Sequence, residues 1–531
     1  VAKRDTCARK ALRLAQSARI AALKGTRLSA AGGRRIVAEH NQQKESHEMT
    51  RRIRVRAMGL RAVALAAGLA AAGGCASEQT ADAEVETQQQ ALKETIDTFR
   101  SLVVTEQPIL QRFSFQRVMD QLVAQSNVPG LTALALFRQW WDTQNPAGEI
   151  VVGGPACTGT LNTYPYVCRP RSQGQEGAEA LSDPFTSPDT NPGAYIPIGL
   201  FNRFDLAPAS GANCGEHRIV YARRSGITDN RNRNLIIFEA TMPNPHPAQG
   251  LKGCDKIVKF WAGLTKTNNI NKRADDLEDF YFRGIANYGD NASGVGQIRT
   301  NQFMQPLPIA PVVWDLREFK LLRTCAAGAC SAMTVVPVTV KTNPFGGLFN
   351  AGLGDANKPA FDAYLVTQVE ALAATSVAGI DMKMPDQFNS GHSVASGTAP
   401  LENDYVAQFA GGSDLRAALT TVLAGMSSTL TPDDIVSRAR ALSCAGCHRL
   451  NSVPTGNNLG GGLTWPASLG FTHVSEQAPV VGSDGVLRFQ LSSALTDSFL
   501  PVRKQVMEDF LGDKPRNVKS INDPIGGRRV H

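Results

Sequence analysis

The chain has 531 residues, 42% hydrophobic and 19% charged, which is enough apolar material for two or three cores and too much for a disordered chain. The formal charge of +8 misleads: residues 1–74 carry 16 basic and 4 acidic residues, leaving 39 basic against 43 acidic over 75–531, a net of −4. Nucleic-acid binding therefore has no electrostatic footing, and the single short apolar run near the N-terminus excludes a multi-span membrane protein.

Residues 1–48 are rich in Arg, Ala and Gln without a core pattern, and read as an over-extended or disordered start with Met49 or Met58 as the initiator. From Met49 the order is that of an export signal: Arg51, Arg52, Arg54 and Arg56, then the apolar Ala62–Ala72, too short to span a bilayer. Ala72-Gly73-Gly74-Cys75 follows and resembles the lipobox of bacterial lipoproteins, with Ala72 where Leu is usual. The resemblance implies a signal peptide over 49–75, lipidation of Cys75, and anchoring in the cell envelope. Ala76 favours the outer membrane with a periplasmic or surface-facing protein, and the polar residues 76–90 would be a tether.

Ten cysteines agree with export. Setting aside Cys7, Cys75, Cys444 and Cys447, six remain as sequence-adjacent couples. Proximity proposes disulfides Cys157–Cys168, Cys214–Cys254 and Cys325–Cys330, one choice among 15 connectivities. The last would staple the tip of a hairpin between Leu316–Leu322 and Met333–Val340.

Residues 91–145 read as helical. Ser114 caps Phe115–Gln125, and Leu131–Thr143 follows with Trp140 and Trp141 as core. Residues 146–193 are rich in Pro, Gly, Ser and Thr. A β-rich antiparallel domain is expected over 146–357, with strands at Tyr195–Phe204, Arg218–Tyr221, Leu235–Ala240, Gln297–Phe303 and the hairpin above, interrupted by a helix at Asp255–Leu264. Asp275, Asp276, Glu278 and Asp279 lack the glycine turn of a calcium loop and read as a solvated face. His217, His246 and His392 read as structural. Residues 358–426 are a helical and loop segment, with helices at 358–375 and 413–426 and a loop between them.

Chemistry concentrates in 431–450. Thr431 and Pro432 open a helix, with Asp433 and Asp434 at the positive end of its dipole. The helix runs into Cys444-Ala445-Gly446-Cys447-His448, the C-x-x-C-H spacing at which two thiols add to the vinyl groups of one haem edge and the adjacent His ligates iron. Residues 427–515 thus resemble a mono-haem cytochrome c domain, ahead of a tail at 516–531. The resemblance implies one covalent haem c, thioethers at Cys444 and Cys447, and His448 as proximal iron ligand. It also implies a closing helix at Phe499–Leu511 crossing the helix before the motif, with Val502, Val506, Phe510 and Leu511 inward. The usual distal Met is missing: Met507 lies inside the closing helix and reads as core packing, which leaves His473 as the candidate distal ligand, or an open iron. Asp484-Gly485 predicts a β-hairpin between Val480-Val481 and Val486–Gln490, foreign to mostly helical mono-haem domains.

The expected whole is an α+β multi-domain chain: an electron-transfer haem lipoprotein with an unknown redox partner, held to the membrane by its lipid and without nucleic acid. Two other readings remain. One is a haem enzyme, peroxidase-like or the electron-accepting subunit of a dehydrogenase. The other is a non-haem surface lipoprotein in which Cys444 and Cys447 form a disulfide, or join His448 and His473 around zinc.

Overall fold

A computed structural model describes residues 95–142, 159–166, 183–284, 296–304, 313–397 and 401–512. The 1–48 extension, the signal segment with Cys75, the 76–90 tether, the Cys157–Cys168 couple and the 516–531 tail lie outside the described residues.

The fold is α+β. The strands among the described residues are β1 (Val103–Val104), β2 (Thr160–Leu161), β3 (Tyr164–Pro165), β4 (Tyr195–Arg203), β5 (Asn213–Arg223), β6 (Asn234–Pro243), β7 (Gln297–Met304), β8 (Val313–Ala326), β9 (Ala329–Val338), β10 (His392–Val394), β11 (Val474–Val481) and β12 (Leu487–Leu491). Eight of them form one antiparallel sheet in the order β1-β4-β5-β6-β7-β8-β10, with β9 also on β8. β10 pairs with Asp315–Arg317 and β9 with Glu318–Ala326, so the two share the outer edge of β8 end to end. The strands expected from sequence are present and mostly longer. The stretch expected as loop around His392 supplies an edge strand, three residues that carry no alternation long enough to read.

The sheet is covered on both faces, so its strands are buried almost throughout rather than alternating. One face carries Tyr221 and Phe238 and packs on helices α1 (Phe115–Ser126) and α2 (Ala133–Asp142). Phe115 lies 4.9 Å from Tyr195 and 5.2 Å from Tyr221, and Trp140 and Trp141 are core as expected. The other face carries a cross-strand row of charges. Arg218 on β5 lies opposite Glu239 on β6, and Arg299 on β7 opposite Glu318 on β8. The bonds run Arg218–Glu239 at 3.0 Å, Arg299–Glu239 at 2.8 Å and Arg299–Glu318 at 2.6 Å, all buried. Residues from the C-terminal part of the chain lie on this face.

The structure bonds Cys214 to Cys254, tying β5 to the start of helix α3 (Asp255–Gly263), and Cys325 to Cys330 at the tip of the β8–β9 hairpin. The acidic cluster lies at the end of helix α4 (Ile270–Glu278), where Arg112 pairs with Asp275 and Glu278 and Arg117 with Glu278. One hydrophobic core runs through these elements, across the segment boundaries expected at 145/146, 357/358 and 426/427.

One expectation for the C-terminal part is corrected and another is extended. The helix before the motif, α6 (Pro432–Ala441), packs chiefly on Tyr405–Gln408, on Val369–Leu372 and on α5 (Asp414–Gly425). The closing helix, α7 (Leu500–Leu511), packs chiefly on the Phe204–Leu206 turn and α3, so the two do not form the crossing pair that the resemblance implies. The buried stripe of α7 is Leu500, Arg503, Val506, Met507 and Asp509, and the expected Val502, Phe510 and Leu511 are half-buried against the core, Phe510 at 5.0 Å from Phe204, so the inward face is the expected one widened by polar residues. The reason is a polar sheet edge: Asn202 donates to the Met507 sulfur at 3.3 Å, and Asp205 lies 3.8 Å from Arg503.

Candidate functional site

Helix α6 aims the C-x-x-C-H segment at the sheet. Thr431 and Asp434 make a reciprocal capping box, the Asp434 carboxylate accepting from Thr431 N–H at 2.8 Å. The basic residues of its last turn are buried and bind carbonyls instead of facing water. Arg438 donates to Leu459 at 2.7 Å and Leu372 at 2.8 Å, and Arg440 donates to Asn451 at 2.9 Å and Gly456 at 3.1 Å. These bonds fold the 451–460 loop back against the helix. Gly446 is required by space, since a Cβ there would stand 1.7 Å from the Arg440 carbonyl oxygen. A single π turn, Gly446–Leu450, then swings His448 out of the helix path.

Cys444 and Cys447 are both buried thiols. Burial pushes the Cys444 thiol up to about 12, against the pull of the Arg299 guanidinium. Ser393 on β10 accepts a hydrogen bond from the Ala445 N–H at 2.9 Å, holding the turn between the two cysteines.

The structure brings His448 and His473 together, with ring centroids 4.5 Å apart and planes inclined at 58°. His448 Nδ1 lies 2.9 Å from the Phe471 carbonyl oxygen. A carbonyl only accepts, so Nδ1 carries the proton and Nε2 keeps its lone pair. Burial, reinforced by the positive charge of Arg299, holds this imidazole neutral, down to about 4. His473 Nδ1 lies 2.8 Å from Ser492 Oγ, and Nε2 is 3.2 Å from the Cys447 sulfur. Burial lowers its pKa well below the usual value, with His448 and Arg503 adding to the effect. His473 immediately precedes β11 and Ser492 immediately follows β12, so this bond closes the base of the expected hairpin.

A cavity of about 80 Å³ lies against both rings. Its sheet wall is Phe201, Val220, Leu235 and Ile237, joined by the guanidiniums of Arg203 and Arg218. Met507 is not in that wall, and it is core as expected. His392 lies apart, fully buried between Asp315 at 3.5 Å and Glu402 at 3.2 Å, and His217 packs on Phe280 and Tyr281.

The donor chemistry fits the group implied by the motif: two buried thiols at thioether spacing and an imidazole with its Nδ1–H pinned to a carbonyl. The space around them is closed. Ligand pockets measure about 300–1,000 Å³, so a macrocycle enters only if the segment carrying His473 draws back from the sheet. Among the described residues no group of three or more His, Cys, Asp or Glu side chains is arranged to hold a metal ion, and no helix is long and apolar enough to cross a membrane.

Sequence reasoning missed Asn301 and Ser393, which contact the motif from elsewhere in the chain, and Ser492, which bonds to His473. The one available signal was Thr300-Asn301-Gln302, a polar run inside an expected strand. In comparisons with protein-family models, curated proteins and solved structures, nothing matches this chain.

Proposed function

We propose that this chain is an exported lipoprotein that carries one covalent c-type haem and passes single electrons at the cell envelope, to or from a partner protein. The observation that carries the reading is His448: within a C-x-x-C-H segment, its ring donates Nδ1–H to a backbone carbonyl, beside a second buried imidazole and an apolar wall. The haem, when bound, supplies a one-electron ferric–ferrous couple. In this reading Cys444 and Cys447 would hold its edge, His448 would ligate the iron, and His473 would be the candidate for the sixth position. Cys75 anchors the chain in the outer membrane, facing the periplasm or the cell surface.

The test is a visible spectrum and pyridine haemochrome assay on the full chain matured in a host with haem-attachment machinery. A c-type spectrum that resists acid-acetone extraction in the wild type, lost in Cys447→Ser, is the expected result. A colourless wild-type protein from a competent host overturns the haem reading. Cys75→Ala should leave the membrane fraction, and its retention there would overturn the anchor.

A further inference from the structure

We infer that Asn301, on the central sheet, is a positioning residue for His448: it holds the Phe471 carbonyl that fixes the tautomer and ring plane of the proposed iron ligand. The inference rests on the haem reading for its consequence, but not for its geometry.

Asn301 lies mid-strand in β7, opposite Leu235 on β6 and Leu316 on β8. Between two leucines, on a face covered by the C-terminal segment, the inexpensive residue is another aliphatic one. Asn301 is instead 3% exposed. Its Nδ2 donates to the Phe471 carbonyl oxygen at 3.2 Å, the same oxygen that accepts from His448 Nδ1–H at 2.9 Å. Nδ2 also stands 3.3 Å from His448 Nδ1. Both nitrogens carry protons directed at the carbonyl, so that approach is a packing contact that limits rotation of the ring. The Phe471 ring packs on Phe303 at 5.3 Å and Trp314 at 5.2 Å, with Arg449 over it at 4.9 Å, and the side-chain donors on its carbonyl are Asn301 and His448. The Asn301 Oδ1 has no hydrogen-bond partner among the described residues, although the side chain lines the cavity beside both imidazoles. A buried amide tolerated with one end unsatisfied is held for what its other end does.

The carbonyl–imidazole bond sets how strongly a ligating His donates to iron. Taking Asn301 away should loosen the orientation of His448 without removing any ligand. Asn301→Leu keeps the size and removes the donor, and Asn301→Gln restores an amide.

Two measurements on the full chain test this. In the haem-free protein labelled with ¹⁵N-histidine, long-range ¹H–¹⁵N correlation should show His448 as a single Nδ1–H tautomer in the wild type and in Asn301→Gln. In Asn301→Leu the Nε2–H tautomer should appear beside it. In the haem-loaded protein, Asn301→Leu should shift the reduction potential and broaden the low-spin electron paramagnetic resonance signal, with recovery in Asn301→Gln. An unchanged single tautomer in haem-free Asn301→Leu, or loss without recovery in Asn301→Gln, overturns the positioning role. If the wild type takes up no haem, the proposed function fails, and the tautomer experiment still decides on Asn301. Should Asn301→Leu not fold, Asn301→Ser, which shortens the side chain and withdraws its donor from the carbonyl, is read by the same two criteria.

Discussion

The charged row beneath the C-x-x-C-H segment makes a quantitative prediction. Glu239 is buried and sits between two guanidiniums, Arg218 at 3.0 Å and Arg299 at 2.8 Å. Arg299 also reaches Glu318 at 2.6 Å, and Arg218 reaches Glu216 at 2.8 Å. Glu239→Leu therefore leaves one excess positive charge in the interior, and removing one partner of such a pair costs about 3–5 kcal/mol. The double variant Glu239→Leu/Arg299→Met removes one charge of each sign. Arg218 then keeps Glu216, and Glu318 keeps the Lys341 side, whose backbone N–H donates to it at 3.2 Å and whose charge acts on it. Replacing both members of a buried pair by apolar residues is often close to neutral, so the double variant should lie within about 2 kcal/mol of the wild type. Urea unfolding of the full chain followed by far-ultraviolet circular dichroism measures this from midpoint and slope. If the double variant loses the sum of the two single losses, the charges do not act as one network and the reasoning fails.

The pH dependence of stability should carry the signature of His392. Burial opposes its charge, but Glu402 and Asp315 outweigh burial and raise it to about 10. Its stabilisation is then complete below about pH 6.5 and lost as pH rises toward 10, by up to about 1.4 kcal/mol per unit. His392→Gln should be less stable at pH 6 and should flatten the alkaline limb of a stability–pH curve, and an unchanged slope would refute the pairing. The Cys214–Cys254 bond closes 40 residues and Cys325–Cys330 only 5. Loop-closure entropy then predicts losses of about 4 and about 2 kcal/mol on replacing each pair with Ala, and equal losses by urea unfolding would count against that account. Thr431→Ala removes the capping box of α6 and should cost about 1 kcal/mol. The full chain's urea midpoint reads this, and a midpoint equal to that of the wild type would show the cap to be idle.

What could be read in advance follows from the range of the interactions involved. The Thr431 cap, the Asp484-Gly485 turn with Gly485 at φ 77° and the Cys325–Cys330 staple are decided by residues a few positions apart, and each was legible. The strand at His392–Val394 was not, because its pairing partner, Asp315–Arg317, lies some 75 residues away and supplies the order. The inner face of α7 was read only in its apolar part: Val506 and Met507 are buried as expected, while Arg503 turns inward as well, toward Asp205.

The same logic governs the site. C-x-x-C-H is a local signal, and its three residues were plain; the groups that hold them are not local. Asn301 precedes His448 by 147 residues and Ser393 precedes Ala445 by 52, and both reach the motif from the face of the sheet. In a small helical haem domain the supporting shell comes from the same short stretch as the ligands, so motif and environment are read together. Here the environment belongs to the sheet. The buried charges of Arg218, Glu239, Arg299 and Glu318 all act on the Cys444 thiol, and the ring plane of His448 is set by a strand that carries no ligand. The central region, whose purpose could not be read by itself, is the surface on which the two-cysteine, two-histidine segment lies, and Asn301 and Ser393 reach that segment from it.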